Sequence, residues 1–160
     1  MNKRALLALL FAVFPLLLAA QQLQIAGDGG KVMTLSADGL KSMPRHSVTV
    51  VNSHSQAEEK YEGVLLSDLL QKAGAPLGEK LRGKALLTYL DAGGSDNYHV
   101  LLALAEVDPD THPNQTIVAD TMNGAPLDAK QGPLKLIVSG DKRPARSVRM
   151  LTSIALHRAQ

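Results

Sequence analysis

Residues 132–151 read GPLKLIVSGDKRPARSVRML, and this stretch limits what the chain can fold into more than any other. Leu134, Leu136 and Val138 alternate with Lys135 and Ile137, and the run then breaks at Ser139-Gly140-Asp141. A period of two that ends in a glycine-containing turn is the pattern of a strand, not of a helix. Lys142, Arg143, Arg146 and Arg149 follow closely, opposed only by Asp141. A strand that runs into a cationic loop holds positive charge at a fixed place. Arginine suits a phosphate or another oxyanion there, because its planar guanidinium offers two parallel donors. Cations at a sheet edge also serve simply to keep that edge solvated.

The other apolar runs are equally short. Strands are expected at residues 23–27, 33–35, 47–51, 85–90, 98–102, 117–119, 134–138 and 147–156. Ser36 is the expected N-cap of a short helix that Pro44 stops. Residues 61–64 lead into a second helix over 65–73, where Leu66, Leu69 and Leu70 share one face and Gly74 closes the end. Residues 104–107 suit one helical turn before Asp108-Pro109, and residues 91–95 and 52–60 read as loops. Short strands with two or three short helices among them predict an α+β domain with a mixed, mainly antiparallel sheet, not a βαβ alternation. No internal repeat or second domain is visible.

Residues 1–20 have the pattern of a signal peptide. Lys3 and Arg4 precede a run of about 14 apolar residues, short of the roughly 20 that a membrane span needs. Cleavage after Ala20 would leave one domain, residues 21–160, in a periplasmic or secreted location, without membrane insertion. The 17 basic residues less Lys3 and Arg4 leave 15, against 15 acidic ones, so the mature charge is near zero. Nothing in that balance points to nucleic acid. The chain has no cysteine, which excludes disulfides, thiolate metal sites and cysteine nucleophiles. The tyrosines Tyr61, Tyr89 and Tyr98 are the aromatic residues beyond the leader, so the core must be aliphatic and a base-stacking surface is not expected.

Familiar catalytic spacings are absent or accidental. The histidines His46, His54, His99, His112 and His157 make no helical ligand pair, and His54 with Glu58 and Glu59 is an unspecific cation grouping. Ser139-Gly140-Asp141-Lys142 matches S-x-x-K, but that chemistry needs Ser and Lys one turn apart at a helix start, and here a turn and Pro144 intervene. There is no G-x-S-x-G, Walker loop or G-x-G-x-x-G.

Longer segments carry a resemblance. Asn123-Gly124-Ala125-Pro126-Leu127, Gly132-Pro133-Leu134 and Ala145-Arg146-Ser147-Val148-Arg149-Met150-Leu151 occur in the order and spacing of the molybdopterin-binding domain of the sulfite oxidase family. Thr34-Leu35-Ser36 through Leu40, Tyr61-Glu62-Gly63-Val64 through Leu70, and Asp96-Asn97-Tyr98 resemble further segments of it, with Tyr61 for Trp and Asn97 for Gly. Met150 also stands where that family has Trp. In the family's molybdenum enzymes a cysteine just after the strand matching residues 47–51 ligates the metal. Here that place reads Val51-Asn52-Ser53-His54.

The resemblance implies a small, stand-alone, exported domain of this type that lacks the metal-ligating cysteine. It is expected to bind an anionic small molecule or a partner protein without catalysis. Arg149 and Arg146, helped by Arg143, are the expected anion edge, since their positions in the family lie near the pterin and its phosphate. Tyr98 and His99 are expected to face the same cleft. No cofactor is expected, and molybdopterin is the one that the resemblance implies. Two alternatives remain open: an oxidoreductase, or a subunit of one, that holds molybdopterin without a cysteine ligand, and an accessory subunit of a periplasmic signalling or respiratory complex.

Overall fold

The computed structural model describes residues 22–113 and 115–160; the leader expected at residues 1–20 lies outside them. Strands β1 (Gln22–Ala26) and β2 (Val32–Ser36) precede a one-turn helix α1 (Ala37–Lys41), and β3 (His46–Val51) and β4 (Glu58–Leu65) precede α2 (Leu66–Lys72). Next come β5 (Thr88–Gly94), β6 (His99–Ala103), the short α3 (Leu104–Val107), β7 (Thr116–Met122), β8 (Ala125–Pro126), β9 (Lys135–Val138) and β10 (Leu151–Arg158).

Two sheets result. One has the order β2-β1-β10-β5-β6; the other has β3-β4-β7, with β8 and β9 in succession along the far edge of β7. β1 pairs with β10 in parallel, and every other pairing is antiparallel. This is the expected α+β class. Among the described residues, no helix is long and apolar enough to cross a membrane.

Side-chain alternation explains the layers. In β1, Leu23 and Ile25 are buried while Gln22 and Gln24 are exposed. Ser36 caps α1 as expected, its hydroxyl accepting from the Gly39 amide at 3.1 Å. No side chain caps α2, so the burial of Leu66, Leu69 and Leu70 on one face holds it in place. Each such leucine contributes roughly 1.5–3 kcal/mol by leaving water. These side chains join Leu23, Ile25, Leu90, Leu102, Leu134, Leu136 and Ile154 in the main core. A second, smaller cluster of Val48, Tyr61, Ile117, Ala119 and Ile137 lies on β3, β4, β7 and β9. Strand alternation separates Ile137 from Leu136, and Tyr61 from Val64, so this cluster occupies the opposite face of the second sheet.

Three local expectations change. Residues 58–64 are strand rather than loop and helix lead-in, because β4 pairs along its length with β3 and β7. Residues 83–87 form a 3-10 helix, and β5 runs on through residues 91–94, which read as a turn because of Gly93-Gly94. Those glycines supply room instead: a Cβ on Gly93 would lie 2.7 Å from His99 Cε1 and 2.8 Å from Ser153 Oγ, and one on Gly94 2.6 Å from the Arg149 carbonyl oxygen. Residues 147–150 are irregular, and β10 starts only at Leu151.

Candidate functional site

The irregular segment is nevertheless held on both sides. The Leu136 amide donates to the Val148 carbonyl at 2.8 Å, the Leu151 amide to Leu134 at 2.8 Å, the Met150 amide to Gln131 at 2.9 Å, and the Ser95 amide to Met150 at 3.0 Å. Val148 is fully buried, and Met150 has φ +48°, a left-handed conformation that few side chains accept. The buried Val148 anchors the segment, and Arg149 is left exposed on the lining of a cleft of about 610 Å³.

The cleft lies against the second cluster. Its walls come from the end of β3 and the loop after it, from β4, from residues 128–131, from β9 and from residues 141–149. Its floor holds a polar network. Lys135, the one charged side chain of β9, donates from Nζ to the Tyr61 hydroxyl at 2.8 Å and to Gln131 Oε1 at 2.6 Å. Tyr61 donates to Glu59 Oε2 at 2.8 Å, and Asn52 Nδ2 donates to Glu59 Oε1 at 2.7 Å. Burial, then the bond to Glu59, pushes the Tyr61 phenol well above its ordinary range. Burial pulls the Lys135 ammonium below its ordinary value; attraction to Glu59 opposes this and the charge of Arg149 adds to it. Among the described residues, no carboxylate lies within ion-pair distance of Lys135 Nζ.

The five residues expected at the site separate. Arg149 and Tyr98 line the cleft, and the Tyr98 hydroxyl donates to the Ala145 carbonyl at 2.5 Å. Arg146 does not line it. Its Nε and one terminal nitrogen donate to the two Asp141 oxygens at 2.9 and 2.7 Å, and the other donates to Glu106 Oε1 at 2.9 Å. Those bonds, Asp141 first, hold the guanidinium more firmly charged, and with two carboxylates already bound it has little left for a ligand. Arg143 is exposed but outside the lining. His99 also lies elsewhere, on the first sheet, with Nδ1 2.7 Å from Asp91 Oδ1. Its register position opposite Gly93 alternates with the core residues Val100 and Leu102, so it faces outward.

Sequence reasoning missed Lys135, Gln131 and Glu59. A signal for Lys135 was visible: a cation inside a strand whose neighbours are all apolar. Glu59 comes from a segment that read as loop, and the β4–β7–β9 register brings it near Lys135, whereas Gln131 lies only four positions before Lys135 in the chain.

The cleft's lining charges are balanced in number but not in availability. Asp128 accepts from the Lys130 and Gln131 amides, Asp96 from the Tyr98 amide, Asp141 from Arg146, and Glu59 from Asn52 and Tyr61. Lys130, Lys142 and Arg149 carry no side-chain hydrogen bond or ion pair to other described residues. Among the described residues, only Asp141 of these carboxylates is paired with a cation, and the others keep their charge. What suits the cleft to an anion is therefore the set of donors that Lys130, Lys142 and Arg149 still have to offer. No three His, Asp or Glu side chains among the described residues gather as metal ligands.

The family model for the oxidoreductase molybdopterin binding domain matches residues 14–160. The chain belongs to that family. It is 32% identical over 155 residues to "Sulfite oxidase, mitochondrial" of Drosophila melanogaster, an alignment that covers 84% of this chain and 27% of the fly protein. In fold it is similar to the sulfane dehydrogenase SoxCD of Paracoccus pantotrophus, with a TM-score of 0.65 at 22% identity over 86% of this chain and 38% of that one. The chain therefore spans about a quarter of the first relative's length and under two-fifths of the second's. These matches establish the molybdopterin-binding fold of the sulfite oxidase type.

Whether a molybdenum centre fits can be asked of the donors present. The position after β3 holds Asn52, whose side chain is engaged: Oδ1 accepts from the His54 and Ser55 amides at 2.9 and 3.1 Å while Nδ2 reaches Glu59. It caps the loop before β4, and an amide is a poor soft-metal donor. With no cysteine in the sequence, the residues do not fit a metal held by a protein thiolate.

Proposed function

We propose that this chain is an exported, periplasmic or secreted member of the molybdopterin-binding family that works without thiolate-ligated molybdenum, as a binding module for an anionic small molecule. The observation that carries the reading is the cleft itself. Arg149, Lys130 and Lys142 reach it with unspent donors, while each lining carboxylate is already hydrogen-bonded. The anion edge is drawn around Arg149 with Lys130 and Lys142, in place of Arg149 with Arg146 and Arg143.

Titration calorimetry with inorganic phosphate tests this, alongside elemental analysis and pterin fluorescence on protein purified from its native compartment. The reading expects phosphate to bind wild type more tightly than Arg149→Gln, and molybdenum to be well below one per chain. Stoichiometric molybdenum would overturn it. A second reading, a molybdopterin-dependent oxidoreductase or a subunit of one, is favoured by the cleft's volume of about 610 Å³, which exceeds the needs of a bare oxyanion and admits a fused heterocycle. Pterin in the purified protein would select it.

A further inference from the structure

Lys135 is costly to keep where it is. An ammonium taken from water onto a cleft floor without a carboxylate partner is disfavoured, and a neutral amine is favoured in its place. Its contacts are a phenol and an amide oxygen, at 2.8 and 2.6 Å. The phenol leads onward, since the Tyr61 hydroxyl sits 2.8 Å from both Lys135 Nζ and Glu59 Oε2. A proton can therefore pass from the ammonium through Tyr61 Oη to Glu59 without any atom moving far. Arg149 lines the same cleft, close enough for its charge to act on Lys135. A half-buried amine, a proton relay and a nearby anion-binding cation are the parts that imine chemistry requires.

We propose that Lys135 is a covalent capture site, whose amine condenses reversibly with the carbonyl group of an anionic aldehyde or oxo acid lodged in the cleft. This inference rests on the reading of the cleft as an anion site and adds the class of ligand. The ammonium first gives a proton to Glu59 through Tyr61. The amine nitrogen then attacks the carbonyl carbon, the C–N bond forms, and the former carbonyl oxygen is protonated to a carbinolamine. Glu59 then returns its proton through Tyr61 to the hydroxyl, the C–O bond breaks, the oxygen leaves as water, and the nitrogen lone pair completes the iminium. One ammonium and one carbonyl compound become one iminium and one water, with no oxidant or reductant. Arg149 holds the ligand's carboxylate or phosphate, and hydrolysis releases the ligand unchanged.

The test uses the full chain with pyruvate and sodium cyanoborohydride, which reduces an iminium to a stable secondary amine, followed by peptide mapping. The expected result is a single adduct on Lys135, heavier by pyruvate less one oxygen atom. It should be absent in Lys135→Arg and form at least tenfold more slowly in Tyr61→Phe, since positioned proton transfer contributes about 10²–10⁴-fold. Labelling of exposed Lys130 and Lys142 at the same rate as Lys135, or no adduct at all, overturns the proposal. Should either variant fail to fold, the site mapped in wild type decides alone. Calorimetry with lactate, which has the carboxylate but no carbonyl, separates the two readings. Lactate binding without a pyruvate adduct sinks only the imine, and failure of both sinks the anion site as well.

Discussion

Arg146→Gln should damage the fold and spare the ligand. Arg146 makes three charge-assisted hydrogen bonds, two to Asp141 and one to Glu106, and it ties the 3-10 turn of residues 144–146 to α3. Contacts of this kind contribute about 1.5–3 kcal/mol when water is excluded and roughly 0–1 kcal/mol when it is not. The Arg146 side chain is 35% exposed, Asp141 19% and Glu106 39%, so solvent screens the pair with Glu106 more than the pair with Asp141. Discounting on that basis gives about 2 kcal/mol for the triad, including the repulsion between the two carboxylates left facing each other. For a domain of this size that is a fall in Tm of about 5–8 °C. Burial pushes the Glu106 carboxyl up, but the bonds from Arg146 and the Ala103 amide outweigh it and hold it below its usual value. A carboxylate lowered in the folded state contributes stability above its unfolded pKa and loses it as pH falls through the folded value. The gap between wild type and variant should therefore narrow as the pH drops below about 4. Circular-dichroism melts at pH 7 and pH 3, with phosphate calorimetry at pH 7, measure both sides. An unchanged Tm together with a tenfold or greater loss of phosphate affinity would refute the argument and return Arg146 to the site.

Arg149→Gln should do the reverse, weakening phosphate roughly 10- to 100-fold, since each 1.4 kcal/mol is a factor of ten, with Tm moved by no more than a degree or two; calorimetry and melts read it. Asp120→Asn should lower stability at pH 7 by about 1–2 kcal/mol, because Asp120 accepts two bonds from the Arg45 guanidinium, at 2.9 and 2.5 Å, and is itself only 11% exposed. Burial raises the Asp120 carboxyl, but Arg45 and Thr121 bring the net shift downward, so the difference should disappear in urea titrations near pH 2. Gly63→Ala should cost about 1–3 kcal/mol by overpacking, because a Cβ there runs into the Val118 carbonyl oxygen and comes within 2.6 Å of Ala119 Cα, where β4 bulges against β7; a denaturant midpoint unchanged from wild type would show that the bulge relaxes.

Much of the fold was legible because its rules are local. Alternation located β1, and short apolar and β-branched runs located β3, β7 and β9, the last two covered on both faces. The 3–4 spacing of leucines located α2, and Ser36 marked the start of α1. Failures came where a residue serves a distant neighbour. Gly93 and Gly94 read as a turn, yet they make room for His99, Ser153 and the Arg149 backbone, which approach from other segments. The site was half legible for the same reason. Arg149 projects into the cleft because its neighbour Val148 is apolar and buried, a fact visible along the chain. Arg146 looks identical in sequence, but Glu106 lies 40 positions away and nothing local announces that it will take the charge. Lys135 reaches Tyr61 and Glu59 only through strand register, which no single segment encodes.

The position of β10 between β1 and β5 reaches into how the chain is made. The hairpin of β1 and β2 is synthesised early, but its open edge has no partner until residues 153–155 emerge to pair with residues 24–26. Until then the apolar faces of Leu23 and Ile25 lack the strand that completes their layer. So long a sequence separation makes folding slow and all-or-none, because a large loop must close before its contacts are gained. During that interval the hairpin edge is a template for strands of other chains. A nascent copy halted before Leu151 would leave β1 and β5 unjoined and be recognised as unfinished by any holdase that reads exposed strand.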